Sequence, residues 1–234
     1  MKLINHAVIM AAGRGTRMLP LTKKFPKAMM TYKNSTLIAN GIKYLRKSIN
    51  NIHITVGHKG SILAKHVIEN NVSTIINTNK KGNAWWIFNS FLKYMNEPIM
   101  VLTCDNVVNL NLKKIEKDYL KKNSPSCMLI PVNPIKGLDG DYIEHKNNIV
   151  SSLSRKKKQK IYCSGIQIIN PFKINKIFSK EKNFSKLWKK MIKKKQLYVS
   201  DILPTKWFTT DNPSQLKFLQ SKKFDTYNIN NSSL

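Results

Sequence analysis

The sequence predicts an α/β domain of three layers, α/β/α, with a mainly parallel central sheet and a small α+β extension. Three observations predict it. Apolar runs of strand length alternate with segments of helical spacing through the first half of the chain. The chain has 234 residues, 41% hydrophobic and 23% charged, enough for one sizeable core and typical of a globular protein. No apolar stretch approaches the roughly 18 residues that cross a bilayer.

The first strand is expected at 6–10 (HAVIM). The stretch MKLINHAVIMAAG could pass for a signal peptide, but Asn5 and His6 interrupt its apolar run and turn residues follow, so it reads as a buried strand. Further strands are expected at 52–56 (IHITV), 72–76 (VSTII), 98–103 (PIMVLT), 126–132 (SCMLIPV) and 161–169 (IYCSGIQII). Helical spacing fills the intervals at 36–49, 60–70, 83–95 and 112–122. Strand, helix, strand, helix is the pattern of right-handed parallel crossovers. After about residue 135 the pattern loosens into the extension. Short strands at 141–145 and 148–153 precede lysine-rich helices at 172–180 and 184–195, and a last helix is expected over 213–222. No linker and no repeat stands out, so residues 1–234 read as one domain.

The formal net charge is +29, from 41 Lys and Arg against 12 Asp and Glu. One reading is a polyanionic partner. The other is compositional: Lys, Asn and Ile are abundant together, as in an AT-rich genome, and the lysines are spread along the chain. The runs RKKKQK at 155–160 and KKMIKKK at 189–195 fit solvated faces. No nucleic-acid-binding module is recognisable, which disfavours nucleic acid as a partner. Cys104, Cys127 and Cys163 are far apart and odd in number, which argues against a disulfide framework or a CxxC metal site. The expected compartment is the cytoplasm.

The stretch MAAGRGTRMLPLTKKFPKAMM, residues 10–30, leaves the carboxyl end of the first strand. In open α/β sheets ligands bind there. Gly13 and Gly15 let backbone N–H groups approach an anion closely. Arg17 can grip phosphate bidentately and Lys27 adds a point charge. The loop is therefore suited to a polyphosphate. Its spacing matches neither GxxxxGK[ST] nor GxGxxG, which excludes the P-loop and dinucleotide readings.

Taken whole, Ala11-Ala12-Gly13-Arg14-Gly15-Thr16-Arg17, then Pro20-Leu21-Thr22, then Pro26-Lys27, resembles the signature of the sugar-phosphate nucleotidyltransferases. The resemblance covers roughly residues 4 to 222. It implies a Rossmann-like, nucleotide-diphospho-sugar-transferase fold, with a nucleotide half at about 1–122 and an acceptor half at about 123–234. It implies that Ala11, Ala12, Gly13, Gly15 and Thr16 wrap a nucleoside triphosphate. Arg17 would hold the β and γ phosphates, and Lys27 would bridge the α-phosphate and the incoming phosphate as catalytic groups.

Such a transfer brings anions together and calls for Mg²⁺, usually held by one or two carboxylates plus phosphates and water. Asp105, in MVLTCDN, falls where the family carries its metal- and nucleotide-binding aspartate, usually as Gly-Asp; here Cys104 replaces the glycine. Near the end, Thr209 occupies the aspartate position of many sugar-1-phosphate members. Asp211-Asn212-Pro213 resembles instead the ending of the cytidylyltransferase relatives, where that aspartate binds metal. The metal role is carried to Asp211, which could equally cap the helix after it. Gly82 and Asn83 fall where the base should sit, although Asn83 could simply cap a helix, and Trp85 and Trp86 could stack on a base or fill core. Asp139, Gly140 and Asp141 could hold acceptor hydroxyls or form a surface turn. Ser164-Gly165 resembles the segment whose backbone approaches the sugar. Glu-Lys-Pro is missing, and in its region Arg155 or Lys156 is the base expected to reach the sugar phosphate.

Three functions follow. The first is transfer of a nucleoside monophosphate from an NTP to a sugar 1-phosphate, giving an NDP-sugar and pyrophosphate for surface polysaccharide or glycan synthesis. The second is the same chemistry with CTP on phosphocholine or a phosphonate. The third is a basic nucleic-acid-binding or regulatory protein on a degenerate transferase fold. The base, the acceptor and the oligomeric state, a homo-oligomer included, stay open.

Overall fold

The structure, a computed structural model, describes residues 3–221 and residue 224. Its strands in chain order are β1 (His6–Met10), β2 (Thr31–Tyr32), β3 (Ser35–Thr36), β4 (Asn51–Val56), β5 (Thr74–Asn77), β6 (Ile99–Thr103), β7 (Asn106–Asn109), β8 (Cys127–Val132), β9 (Asp141–Lys146), β10 (Ile149–Ser154), β11 (Tyr162–Ile169), β12 (Leu197–Val199) and β13 (Lys206–Thr209). The α-helices are α1 (Leu37–Arg46), α2 (Gly60–Ile68), α3 (Trp85–Asn89), α4 (Leu112–Lys121), α5 (Pro171–Ile177), α6 (Phe184–Lys193) and α7 (Pro213–Leu219). The fold is α/β. The last helix covers most of 213–222, whose residue 222 lies outside the described residues.

The chain divides into two compact units, each assembled from separate segments. One contains residues 6–80, 102–108 and the part from Lys206 onward; the other contains 81–101 and 109–205 together with the amino-terminal residues.

In the first of these, β1, β4 and β5 pair in parallel, with His6 opposite Asn51, Met10 opposite Thr55, and Val56 opposite Asn77. Buried Ala7, Val8 and Ile9 make β1 apolar on both faces, while β4 buries Ile52 and Ile54 on one face and His53 and Thr55 on the other, and β5 is only partly buried. Helix α1 starts at Thr36, whose hydroxyl accepts from the Ala39 N–H at 3.2 Å, and it buries Leu37, Ile38, Ile42 and Leu45. β13 pairs with β7, and α7 follows β13.

In the other unit, β11 pairs antiparallel with β6, β8 and β9, while β12 runs parallel to β8. β10 is antiparallel to β9 and β12. Asn111 and Asn170 cap α4 and α5 by accepting from the N–H of Lys114 and Lys173, both at 3.0 Å. Asp118 on α4 is buried and paired with Lys122; it also accepts from the Ser200 hydroxyl at 2.6 Å and the Asp201 N–H at 3.1 Å. That network ties α4 to the segment following β12.

The helix expected at 83–95 is interrupted. α3 ends at Asn89, Ser90 adopts extended backbone, and a short 3-10 turn covers Phe91–Tyr94. The cause is local: the Ser90 hydroxyl donates to the Trp86 carbonyl at 2.7 Å and accepts from the Leu92 N–H at 3.3 Å. Serine thus offers the backbone an alternative to the helical ladder.

Candidate active site

The glycine-bearing loop leaves β1 and is pinned at its start. The Ala11 N–H donates to the carbonyl and hydroxyl of Thr55, at 3.1 and 3.2 Å, and the Ala12 carbonyl accepts from the His58 N–H at 3.2 Å. Gly57 permits this approach, because a Cβ there would lie 2.7 Å from the Ala12 carbonyl oxygen. Gly15 is left-handed, at φ +62°, and a Cβ there would sit 3.0 Å from Cβ of Lys27. The Thr22 hydroxyl donates to the Gly15 carbonyl at 3.0 Å. A Cβ on Gly13, by contrast, would meet nothing within 4 Å. The chain itself does not demand glycine at that position, so the open space beside Gly13 is available to a ligand.

Lys27 is the centre of the charged groups. Its ammonium donates to Asp105, and to Asp211 at 2.9 Å, and only 13% of its side chain is exposed. Arg17, 63% exposed, donates to the same Asp211 oxygen at 3.0 Å. Burial opposes the charge on Lys27, but the adjacent carboxylates of Asp105 and Asp211 more than offset it, and the lysine pKa lies above its ordinary value. Two cations and two carboxylates from three distant parts of the chain therefore converge.

Asp105 lies in the turn between β6 and β7, after Cys104, whose N–H donates to the Met10 carbonyl at 3.0 Å. Its other carboxylate oxygen accepts from the Thr103 hydroxyl. That hydroxyl accepts from the amide of Asn106, and the Asn106 oxygen accepts from the buried Trp207 indole at 2.7 Å. Asp211 follows β13, and its N–H donates to the Gln215 side chain at 2.6 Å. The cap of α7 is Asn212, in a reciprocal capping box with Gln215. Asp211 is thus left to Lys27 and Arg17, while Thr209 is buried within β13. Burial pushes the Cys104 thiol up to about 12, so it is neutral at pH 7 and the donor set is two carboxylates. Hard oxygen donors of this kind suit a small divalent cation that keeps water and phosphate ligands, not a closed thiolate cage. Among the described residues, no cluster of three or more His, Cys, Asp or Glu side chains forms such a cage.

Gly82, Asn83 and the residues expected at the acceptor belong to the other unit. Gly82 is sterically required: a Cβ would lie 2.0 Å from the Lys182 carbonyl oxygen. The Asn83 side-chain oxygen accepts from the Phe184 N–H at 2.9 Å, so it caps α6 and not the helix that follows it. Trp86 is core, and the Trp85 ring faces the Lys81 ammonium at 5.5 Å. Asp141 pairs with Arg155 at 3.4 Å, and Gly140 leaves room for the Tyr162 ring, 2.2 Å from where its Cβ would stand. Gly165 is left-handed, at φ +81°, in the irregular part of β11, and the Ser164 hydroxyl accepts from the Ile166 N–H at 3.4 Å. Asp139 lies in the irregular segment before β9.

Sequence reasoning gave no role to the residues that support this site: Thr22, quoted only as part of the loop signature, and Gly57, Thr103, Asn106 and Trp207. Thr103 and Asn106 flank Asp105 closely enough to be suspected from the Thr-Cys-Asp-Asn order. Trp207 lies 101 residues from the Asn106 side chain it meets, and no local pattern announces that pairing.

Known proteins resemble this chain in fold and in sequence. The inositol-1-phosphate CTP transferase of T. maritima superimposes with a TM-score of 0.75 at 17% identity, over 94% of this chain and 96% of that one. The CTP:phosphocholine cytidylyltransferase of Streptococcus pneumoniae gives a TM-score of 0.71 at 20% identity, over 92% and 97%. These likenesses establish the fold. In sequence, the bifunctional protein GlmU of Methanococcus aeolicus is 24% identical over 158 residues, 66% of this chain but only 37% of that protein's length. The family model described as nucleotidyl transferase matches residues 6–156, more than half of the chain and including the glycine loop, Lys27 and Asp105. The chain belongs to the nucleotidyl transferase family.

Proposed function

We propose that this protein transfers a nucleoside monophosphate from an NTP to a phosphorylated small molecule, a sugar 1-phosphate first, with release of pyrophosphate and with Mg²⁺. The observation that carries the reading is Lys27, held between Asp105 and Asp211 beside a loop with open space at Gly13. Backbone N–H groups from Ala12 to Thr16 cradle the triphosphate, with Ala11 anchoring the loop through its bonds to Thr55. Exposed Arg17 swings onto the outer phosphates, and Lys27 neutralises charge at the α-phosphate. An oxygen of the acceptor phosphate attacks the α-phosphorus in line. The new P–O bond forms as the bond to the β-phosphate bridging oxygen breaks, and the electron pair leaves with pyrophosphate. Asp105 and Asp211 would hold the Mg²⁺, which supplies charge neutralisation for the reacting phosphates.

The nucleotide and acceptor assignments in the other unit belong to the same proposal. Asn83 has its side-chain oxygen occupied and offers its amide nitrogen to a base edge. Asp139, Gly140, Asp141, Ser164, Gly165 and Arg155 are proposed for the acceptor.

A specific observation favours the CTP-dependent alternative on a phosphocholine or phosphonate acceptor. The second carboxylate that reaches Lys27, beside Asp105, comes from Asp211, within the cytidylyltransferase-like Asp-Asn-Pro ending, and not from the Thr209 position.

Pyrophosphate release tests both. The protein is mixed with Mg²⁺, each of ATP, CTP, GTP, UTP and dTTP in turn, and a pool of sugar 1-phosphates, phosphocholine and aminoethylphosphonate. Release with one nucleotide, absent in Asp105→Asn, is expected. The productive nucleotide and the divided pool then name the substrates. Wild-type protein that neither binds nor turns over any triphosphate would refute the proposal.

A further inference from the structure

The turn after β4 reaches the catalytic loop through one side chain that the reaction above does not use. Lys59 precedes α2 with left-handed backbone at φ +54°. Its ammonium donates to the carbonyls of Thr22, at 2.7 Å, and Lys23, at 2.6 Å, some 36 residues earlier in the sequence. Those carbonyls sit in the Pro20–Lys24 segment, a short 3-10 turn whose Leu21, Lys23 and Lys24 are exposed and give the segment little burial of its own. Thr22 is the exception. It is buried, and its hydroxyl holds the Gly15 carbonyl. Gly15 in turn packs against Lys27, at 3.0 Å from its virtual Cβ. The contacts therefore run from Lys59 to Thr22, to Gly15, to Lys27. A cation bonded to two carbonyls is strong enough to hold an exposed turn.

We infer that Lys59 is a positioning residue for phosphate transfer: it fixes the Pro20–Lys24 turn from behind, so that Gly15 and Lys27 are in place before the triphosphate arrives. Nothing in Lys59 touches the reacting atoms. The inference rests on the nucleotidyl-transfer reading. Preorganisation of this kind acts on rate, because a small misplacement of a catalytic group is costly.

Lys59→Met keeps the aliphatic stem and removes the charge, and Lys59→Arg restores a cation. Hydrogen exchange is read at Met18 and Lys23, whose N–H groups bond to Gly15 and Pro20, with α1 as the internal control. Lys59→Met is expected to exchange at least about 10-fold faster at both amides with α1 unchanged, to lose at least about 10-fold in kcat, and to keep its KM for the acceptor. Lys59→Arg should recover most of the kcat. Wild-type kcat and exchange in Lys59→Met would overturn the inference while nucleotidyl transfer stands. Faster exchange with unchanged kcat would overturn it equally, leaving only a structural tether. A wild-type chain with no turnover on any nucleotide would instead defeat the functional reading on which the inference rests.

Discussion

Acid should weaken this protein through one buried histidine. His53 lies in β4, is 3% exposed, and stacks on His6 of β1 with ring centroids 5.3 Å apart and planes within 4°. Its Nε2 is 3.0 Å from Nδ1 of His6, and its Nδ1 is 2.8 Å from the Thr74 hydroxyl on β5. Burial first, and the neighbouring His6 second, lower its pKa from 6.5 to about 4. Between those values the unfolded chain takes a proton that the folded chain refuses. Stability is therefore complete above about pH 6.5 and is lost as the pH falls toward 4. The full shift corresponds to about 3 kcal/mol, and about 1.4 kcal/mol of it is lost by roughly pH 5.5. His53→Gln removes the titration, so comparing its urea midpoints with wild type at pH 8 and 5.5 isolates this residue from the carboxylates, which titrate in both. Wild type should lose about 1.4 kcal/mol more than the variant over that interval. Parallel pH profiles would refute the reasoning.

Lys27→Ala and Asp105→Asn should each reduce kcat/KM by about 3 kcal/mol, on the order of 100-fold, in the pyrophosphate assay while remaining folded by circular dichroism. Gly13→Ala and Gly15→Ala should separate binding from stability: the first should leave Tm unchanged and weaken triphosphate binding, whereas the second should also lower Tm, since its left-handed backbone and the close Lys27 Cβ both resist a side chain. Asp118→Ala should cost about 2 kcal/mol in urea unfolding, because it removes the buried acceptor of the Ser200 hydroxyl and the Asp201 N–H and leaves the Lys122 ammonium to the more exposed Asp201.

The alternation of buried strands and amphipathic helices was legible because parallel strands covered on both faces are continuous apolar runs; the runs at 6–10, 52–56, 98–103 and 126–132 fall on β1, β4, β6 and β8 within two residues. β2, β3, β7, β12 and β13 were missed. They are two to four residues long, and Asn106–Asn109 and Lys206–Thr209 carry too many polar residues to read as strands without knowing their pairing. At the site, Lys27 and the glycines were legible from local spacing. Asp105 and Asp211 were chosen by resemblance, and the structure brings both onto Lys27 although they are separated from it by 78 and 184 residues. In the hydrogen-bonded chain from Trp207 through Asn106 and Thr103 to Asp105, only the short Thr103–Asn106 stretch left a local hint; the Trp207 link had none, since a long-range polar pair leaves no periodicity.

The charge count at the site argues for a divalent cation in nucleotide binding. The chain carries a net +29, yet Arg17 and Lys27 are matched by Asp211 and Asp105, so the four converging groups sum to zero. A triphosphate brings several negative charges into that neutral arrangement, close to two partly buried carboxylates. Loop N–H groups supply only partial charges. A cation placed between the carboxylates and the phosphates would turn the two aspartates from repulsive neighbours into ligands. Triphosphate binding should therefore weaken at least about 10-fold when divalent cations are removed with EDTA, read by calorimetry at constant ionic strength. In Asp105→Asn the same removal should matter less, because one repulsive carboxylate is gone and one ligand with it. Equal affinity with and without divalent cations in the wild type would mean that the surrounding lysines, and not a metal, neutralise the phosphates, and the assignment of Asp105 and Asp211 as metal ligands would fall.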